Sequence, residues 1–384
     1  MRIAIEALGI SRPGGGRAAT LNLLRPLLTM DQANEYVIYL DSPEPELANI
    51  STRARQRIIP IRNRFMSRLY LQAIMPVEMR RGKIDLVHFV KNQMISRCGA
   101  PSVVTVYDLT TLRHPEAFPG VDVWYWRHVL PRQYHRADGI VAISESTAQD
   151  LITYYRLPRE KIAVIYPGYD PVYRPLSVEQ SQTIRQHYGL ADEQYFIHVG
   201  SFSVKKNLAM LIDAFLDFRQ RTGFTGRLVF VGADYPKGRD HAFAQRLTQS
   251  EVRAAVVLTG AISNEDLAAL YNGALALLFP SLHEGFGIVA LEAMACGVPV
   301  VAHAAGAVRE VVGDAGIIID SATDVVQWSR TMQTVVADES LRAHLSRAGI
   351  DRARSFAPEF IVRQMLNLYQ SVLPQPDRHN GLAP

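Results

Sequence analysis

Two carboxylates, Glu284 and Glu292, stand on either side of a glycine-bearing turn in the stretch Pro280-Ser281-Leu282-His283-Glu284-Gly285-Phe286-Gly287-Ile288-Val289-Ala290-Leu291-Glu292. Gly285 and Gly287 let the backbone come close to a ligand and leave amide N–H groups free at a helix N-terminus. A phosphate or a sugar hydroxyl binds well there. A second charged point is the lysine pair of Gly200-Ser201-Phe202-Ser203-Val204-Lys205-Lys206-Asn207-Leu208, which again lies between a strand and a helix. A lysine near a helix N-terminus opposes the helix dipole, and an anion held between them removes the conflict. A third point is the glycine run Gly14-Gly15-Gly16 near the start of the chain, which suits a loop facing a diphosphate.

The elements that must position these groups follow from the pattern. The apolar run Ala274 to Phe279 predicts a buried strand of a parallel sheet, and Gly297-Val298-Pro299 stops the Ala-, Leu-, Met- and Glu-rich helix after it. Such a turn opens at the carboxyl edge of a sheet, where open α/β folds hold their ligands. Further strands are predicted at 2–8, 36–40, 85–89, 102–106, 138–143, 161–165, 195–199, 228–233 and 256–260, alternating with helical stretches. The first helix is expected from Ala18 to about Met30, and Ser144 caps another with Thr147 following. Pro167, Pro171 and Pro175 mark a linker at 167–178.

With 384 residues, 48% hydrophobic and 20% charged, the chain reads as an ordinary globular protein of two or three domains. Cys98 and Cys296 give neither a disulfide framework nor zinc spacing. The N-terminus lacks a signal-peptide core and no stretch is long enough to span a bilayer, so a cytoplasmic protein is expected. Residues 1–175 hold 23 Lys+Arg against 16 Asp+Glu. Much of that excess lies in Arg53, Arg55, Arg57, Arg62, Arg64, Arg68, Arg80, Arg81 and Lys83, interleaved with apolar residues. Either a solvated helix face or a peripheral contact with the anionic inner face of the cell membrane fits. Nucleic acid is not expected, because no binding motif accompanies the charge.

The string from Pro280 through Glu292-Ala293-Met294-Ala295-Cys296-Gly297-Val298-Pro299-Val300 resembles the donor-site signature of retaining glycosyltransferases of family 4. Gly306-Ala307-Val308-Arg309-Glu310, Ser144-Glu145-Ser146-Thr147 and Pro167-Gly168-Tyr169-Asp170 resemble family segments at the same points in the order. The resemblance covers most of the chain to about residue 370 and is specific mainly between 195 and 313. It implies the GT-B fold: two Rossmann-like α/β domains facing each other across a cleft, with a C-terminal helix crossing back. The domains would span 1–170 (acceptor side) and 171–357 (nucleotide-sugar side), with 358–373 as the crossing helix.

By the same resemblance the donor is a nucleotide sugar, GDP-mannose-type or a UDP-sugar. The acceptor is a glycan, a lipid-linked carrier or a small molecule, in cell-surface polysaccharide synthesis. Glu292 would bind ribose hydroxyls, and Glu284 would lie beside the donor sugar as a catalytic residue. Lys206, also catalytic, would hold the diphosphate with Ser201, Gly200, Gly15 and Gly16 and the backbone around Gly285, Phe286, Gly287, Ile288 and Val289. His88, Tyr107 and Asp108 would face the acceptor. Two departures stand out: Tyr107 replaces the His common in His-Asp-Leu, and Ser201 replaces a common Arg. No Asp-x-Asp occurs, so neither a metal nor a cofactor is expected.

Three rival readings stay open. Gly14-x-Gly16-x-x-Ala19 with Asp41 fits a dinucleotide site, although the glycines do not directly follow the strand. A GT-B-like nucleotide-sugar epimerase or glycan phosphorylase is possible by fold, the latter without a pyridoxal-phosphate lysine signature. A non-catalytic nucleotide-sugar binder would fit the missing His and Arg.

Overall fold

The computed structural model describes residues 1–10, 15–59, 66, 70–94, 99–113, 115–233 and 240–374. The chain forms two compact units: Met1–Gly168 joined by the segment from Pro358 onward, and Tyr169–Ala357.

The first unit is built on a seven-stranded sheet. Its strands are β1 (Arg2–Glu6), β2 (Glu35–Leu40), β3 (Ala54–Ile58), β4 (Leu86–Phe89), β5 (Ser102–Val106), β6 (Gly139–Ala142) and β7 (Ile162–Val164). They run in parallel in the order β3-β2-β1-β4-β5-β6-β7. Successive side chains serve opposite faces, as strand geometry dictates. Tyr36, Ile38 and Leu40 enter one buried cluster while Val37 and Tyr39 enter the other. Apart from the edge strand β3, whose residues are half-buried or exposed, both faces are covered, which is why these strands read as continuous apolar runs.

Helix α1 (Gly15–Met30) begins at the glycines rather than at Ala18. The last helix, Pro358–Ser371, buries Ile361, Val362, Met365 and Tyr369 in the same cluster as Leu24 and Leu27 of α1. Sequence reasoning missed β3. The basic segment does not open as a helix face: Ala54 to Ile58 pair in register with Tyr36 to Leu40 at the edge of the sheet. Exposed Arg55 and Arg57 there keep an open strand edge from pairing with another chain.

The second unit holds a six-stranded parallel sheet, ordered β10-β9-β8-β11-β12-β13. Its strands are β8 (Tyr195–Val199), β9 (Arg227–Val231), β10 (Val256–Gly260), β11 (Ala276–Phe279), β12 (Val300–His303) and β13 (Ile317–Ile319). Helix α2 (Leu208–Thr222) lies between β8 and β9 in the chain, α3 (Asn264–Gly273) between β10 and β11, and α4 (Ile288–Ala295) between β11 and β12. One face carries an aromatic core in which Phe196 meets Phe215 and Phe218 edge-on, with ring centroids 6.4 and 5.9 Å apart. The strand order reverses between β8 and β11, so the segments leaving these two strands diverge at the carboxyl edge. Ligands of open α/β sheets bind at such a point.

Candidate functional site

The segment leaving β8 passes Gly200, makes a short turn at Val204–Lys206 and enters α2. Leaving β11, the chain passes Pro280 and Ser281 and donates the Leu282 N–H to the Lys205 carbonyl at 2.8 Å. The two loops are thereby tied together, and Lys206 meets Glu284. Their ammonium and carboxylate form an ion pair whose side chains are only 10% and 14% exposed. The ammonium also lies 5.0 Å from the centroid of the Phe279 ring. Burial alone would push the Glu284 carboxyl up. The charges of Lys206 and Lys205 and hydrogen bonding outweigh it and hold the group below its ordinary value. Glu284 is therefore an anion at neutral pH.

Gly287 caps α4 in the left-handed region, at φ +94°. The first amides of a helix have no intrahelical acceptor, so those of Ile288 and Val289 supply anion-binding dipoles at this end. The Phe286 side chain serves packing, which leaves its backbone for the expected donor contact. The ring is buried and packs edge-on against Phe356, 5.9 Å between centroids, so it anchors the loop from behind. Glycine at 306 serves the same loop. A Cβ there would stand 2.0 Å from the Glu284 carbonyl oxygen, so no larger residue fits without moving Glu284.

Glu292 lies one turn into α4 and is buried. Its Oε2 is 3.4 Å from the Tyr271 hydroxyl, which also reaches the Val289 carbonyl at 3.3 Å. Desolvation pushes this carboxyl up to about 8, opposed by the Tyr271 hydrogen bond and aided by the Asp170 charge. The two glutamates of the signature thus differ in kind: Glu284 is ionised and paired, whereas Glu292 is poised to lose a proton near neutrality. Ser201 is half-buried, its hydroxyl 3.4 Å from that of Ser203.

The remaining sequence-selected residues lie in the first unit. Gly15 and Gly16 open α1, and the Gly16 carbonyl accepts the Thr20 hydroxyl at 2.8 Å. Gly14 and residues 11–13 lie outside the described residues. Asp41 accepts the Gly9 N–H at 3.0 Å, a commitment that leaves less of it for a ribose and weakens the dinucleotide reading. Tyr107 pairs its hydroxyl with that of Thr20 at 2.8 Å, and its N–H donates to Asn92 Oδ1. Burial pushes the phenol up to about 12, so it offers no proton acceptor in place of the absent imidazole. Asp108 accepts the Thr110 N–H at 2.9 Å and starts the next helical turn.

His88 requires a correction. It is fully buried, and both ring nitrogens are occupied, by the hydroxyls of Tyr369 and Thr105, each at 2.7 Å. Burial lowers its pKa to about 3, so it is a neutral fastener for the last helix and presents nothing to an acceptor.

Sequence reasoning also missed Tyr271, Gly306 and His198, the last of which lies close to Lys206. Among the described residues no group of three or more His, Cys, Asp or Glu could hold a metal ion. None of the helices there is long and apolar enough to cross a membrane.

The comparisons with known proteins match this division of the chain. The glycosyltransferase family 4 profile matches residues 13–173, and that of glycosyl transferases group 1 matches residues 180–352. O-antigen chain mannosyltransferase B of Escherichia coli is 29% identical over 269 residues, covering 70% of each chain. D-inositol 3-phosphate glycosyltransferase of Salinispora arenicola is 30% identical over 311 residues, covering 75% of this chain and 69% of its own. Among solved structures, HepE of Anabaena in complex with UDP-glucose superposes with a TM-score of 0.75 at 20% identity, covering 97% of this chain and 100% of that one. The fold is GT-B. A profile on each unit, together with a relative matched over most of its length, shows that this chain belongs to glycosyltransferase family 4 and is a glycosyltransferase.

Proposed function

We propose that the enzyme transfers a hexose from a nucleotide sugar to a glycan or lipid-linked acceptor with retention at the anomeric carbon, and that the sugar is mannose carried on GDP. The observation that carries this reading is the buried Lys206–Glu284 pair at the switch point of the second sheet, with Glu292 one turn into the helix that follows. The mannose assignment draws on the name of the E. coli relative, and a nucleotide-sugar donor on the ligand of HepE.

In the free enzyme Lys206 and Glu284 neutralise one another. A nucleotide sugar brings an anionic diphosphate for the ammonium and sugar hydroxyls for the carboxylate, so it satisfies both groups as it parts them. Glu292 accepts the ribose hydroxyls. As the bond from the anomeric carbon to the diphosphate oxygen breaks, negative charge grows on the leaving group beside Lys206, the Ser201 hydroxyl and the amides opening α4. Positive charge grows on the sugar beside Glu284. Fixed charges aimed at both sites lower the barrier. Lys206 and the helix terminus give the leaving group its positive partners from the protein itself, and on this basis we propose that no metal is needed. Release of nucleoside diphosphate across a panel of nucleotide sugars tests the reading, with the product's anomeric configuration as the check on retention.

The basic segment supports peripheral contact with an anionic membrane. Arg62, Arg64 and Arg68 lie outside the described residues, and Arg57 is paired with Glu78 at 3.1 Å. Arg55, Arg81 and Lys83 are exposed, and so are Ile74 and Val77 on the helical segment between them. Cations near an anionic surface contribute roughly 1 kcal/mol each. Replacing Arg55, Arg81 and Lys83 with glutamine is expected to weaken co-sedimentation with phosphatidylglycerol vesicles by about a hundredfold. Unchanged sedimentation would remove the membrane contact from the account.

A further inference from the structure

His198 is the fourth residue of β8 and is fully buried. Its Nδ1 lies 2.9 Å from the Leu278 carbonyl oxygen. A carbonyl can only accept, so Nδ1 carries the proton and ties β8 to β11. Burial first, then the charge of Lys206, lowers the imidazole pKa to about 3, so the ring is neutral across the working range. Nε2 is consequently a bare lone pair, and it has no hydrogen-bond partner among the described residues. A buried acceptor without a donor is a cost that packing alone does not explain. The sheet contact needs only Nδ1, and a residue without Nε2 would avoid the cost.

What Nε2 faces gives the explanation. The point where a Cβ on Gly200 would stand is 3.1 Å from Lys206 Cε, 3.4 Å from Lys206 Nζ and 3.6 Å from His198 Nε2. The ammonium and the lone pair therefore flank one small space, open because residue 200 has no side chain. In this state the lysine is committed to Glu284 and makes no bond to the ring.

We propose that His198 is a positioning residue for Lys206: when a nucleoside diphosphate draws the lysine from Glu284, the Nε2 lone pair accepts an ammonium N–H and directs the others at the phosphates. Lys206 thus has two resting partners, Glu284 before the donor binds and His198 after. A neutral acceptor in the second place leaves the positive charge uncancelled for the leaving group, which a second carboxylate would not. This inference rests on the diphosphate role proposed for Lys206.

The test compares binding of GDP, UDP, GMP and UMP to the parent, His198→Phe, Lys206→Met and the double variant. A charge-assisted hydrogen bond accounts for about a tenfold effect. His198→Phe is expected to weaken the diphosphate that binds by about that factor and the matching monophosphate far less. In the Lys206→Met background the same change is expected to do nothing. Equal weakening of mono- and diphosphate, or full additivity in the double variant, would reduce His198 to a packing residue. Selective 15N labelling of histidine provides a second reading that needs no variant of His198. Nε2 is expected at a lone-pair shift in the free protein and to move upfield on adding the diphosphate. An Nε2–H tautomer, or a resonance indifferent to bound diphosphate, would overturn the proposal. If no nucleotide binds the parent protein, the diphosphate reading itself fails, a different result from binding that ignores His198.

Discussion

Replacing Lys206 with alanine is expected to lower turnover by roughly two to three orders of magnitude, the usual cost of removing one group that meets developing negative charge. The same change strands Glu284. Removing one member of a buried ion pair costs about 3–5 kcal/mol when the other stays charged. Glu284 relieves this in part by taking up a proton, because Lys206 is its largest stabilising influence and burial alone pushes its pKa upward. The expected loss of stability is therefore largest at high pH and shrinks as the carboxyl becomes protonated. Adding Glu284→Gln removes the stranded charge, so the double variant is expected to recover melting temperature and none of the turnover. Steady-state kinetics beside thermal melts at two pH values separate the effects. Near-normal turnover in Lys206→Ala would remove the lysine from the leaving-group site.

The second large effect concerns Glu292, and it is a pH effect. Its carboxyl is pushed from 4.5 to about 8 by burial, so the native protein holds a proton there that the unfolded chain has lost. The contribution to stability is complete below about 4.5 and is lost as pH rises through about 8. Glu292→Gln is accordingly expected to cost little stability at pH 8, or to add some. Ligand binding has the opposite sense. Two ribose hydroxyls donate to the ionised carboxylate, so binding expels the proton, and affinity for nucleoside diphosphate rises about tenfold per pH unit until it levels near pH 8. In Glu292→Gln that slope is expected to vanish and affinity to fall to the low-pH level. Calorimetry in buffers of different ionisation enthalpy counts the proton directly. A flat pH profile in the parent protein would mean that Glu292 does not meet the ribose as an anion.

Much of this was legible in the sequence because the signals were local. An apolar run ended by Pro280, two glycines and an alanine-rich helix stopped at Gly297 dictate a strand, a tight turn and a helix whatever surrounds them. Strand β3 was not legible, because Ala-Arg-Gln-Arg-Ile at a sheet edge has the composition of a charged helix face, and only pairing with β2 decides between them. His88 and His198 illustrate the same limit. Both are histidines in buried strands, and nothing local says that one has both nitrogens satisfied while the other has a lone pair near a lysine. Phe286 sits among the signature glycines, so its sequence position suggested a ligand contact. Its direction is set by Phe356, far along the chain. The mutual neutralisation of Lys206 and Glu284 joins two loops that the sequence presents as independent.

The most direct test of the central claim is nucleoside diphosphate release from a panel of nucleotide sugars, with glycan and lipid-linked acceptors present, run with and without a chelator. The account predicts release from one donor, GDP-mannose, at a rate the chelator does not change, with a product that keeps the donor's anomeric configuration. Release that depends on added metal, or an inverted product, would contradict the proposed roles of Lys206 and Glu284. Binding of a nucleotide sugar without release would leave a sugar-nucleotide binder in place of a transferase, and failure to bind any nucleotide sugar would contradict the account at its root.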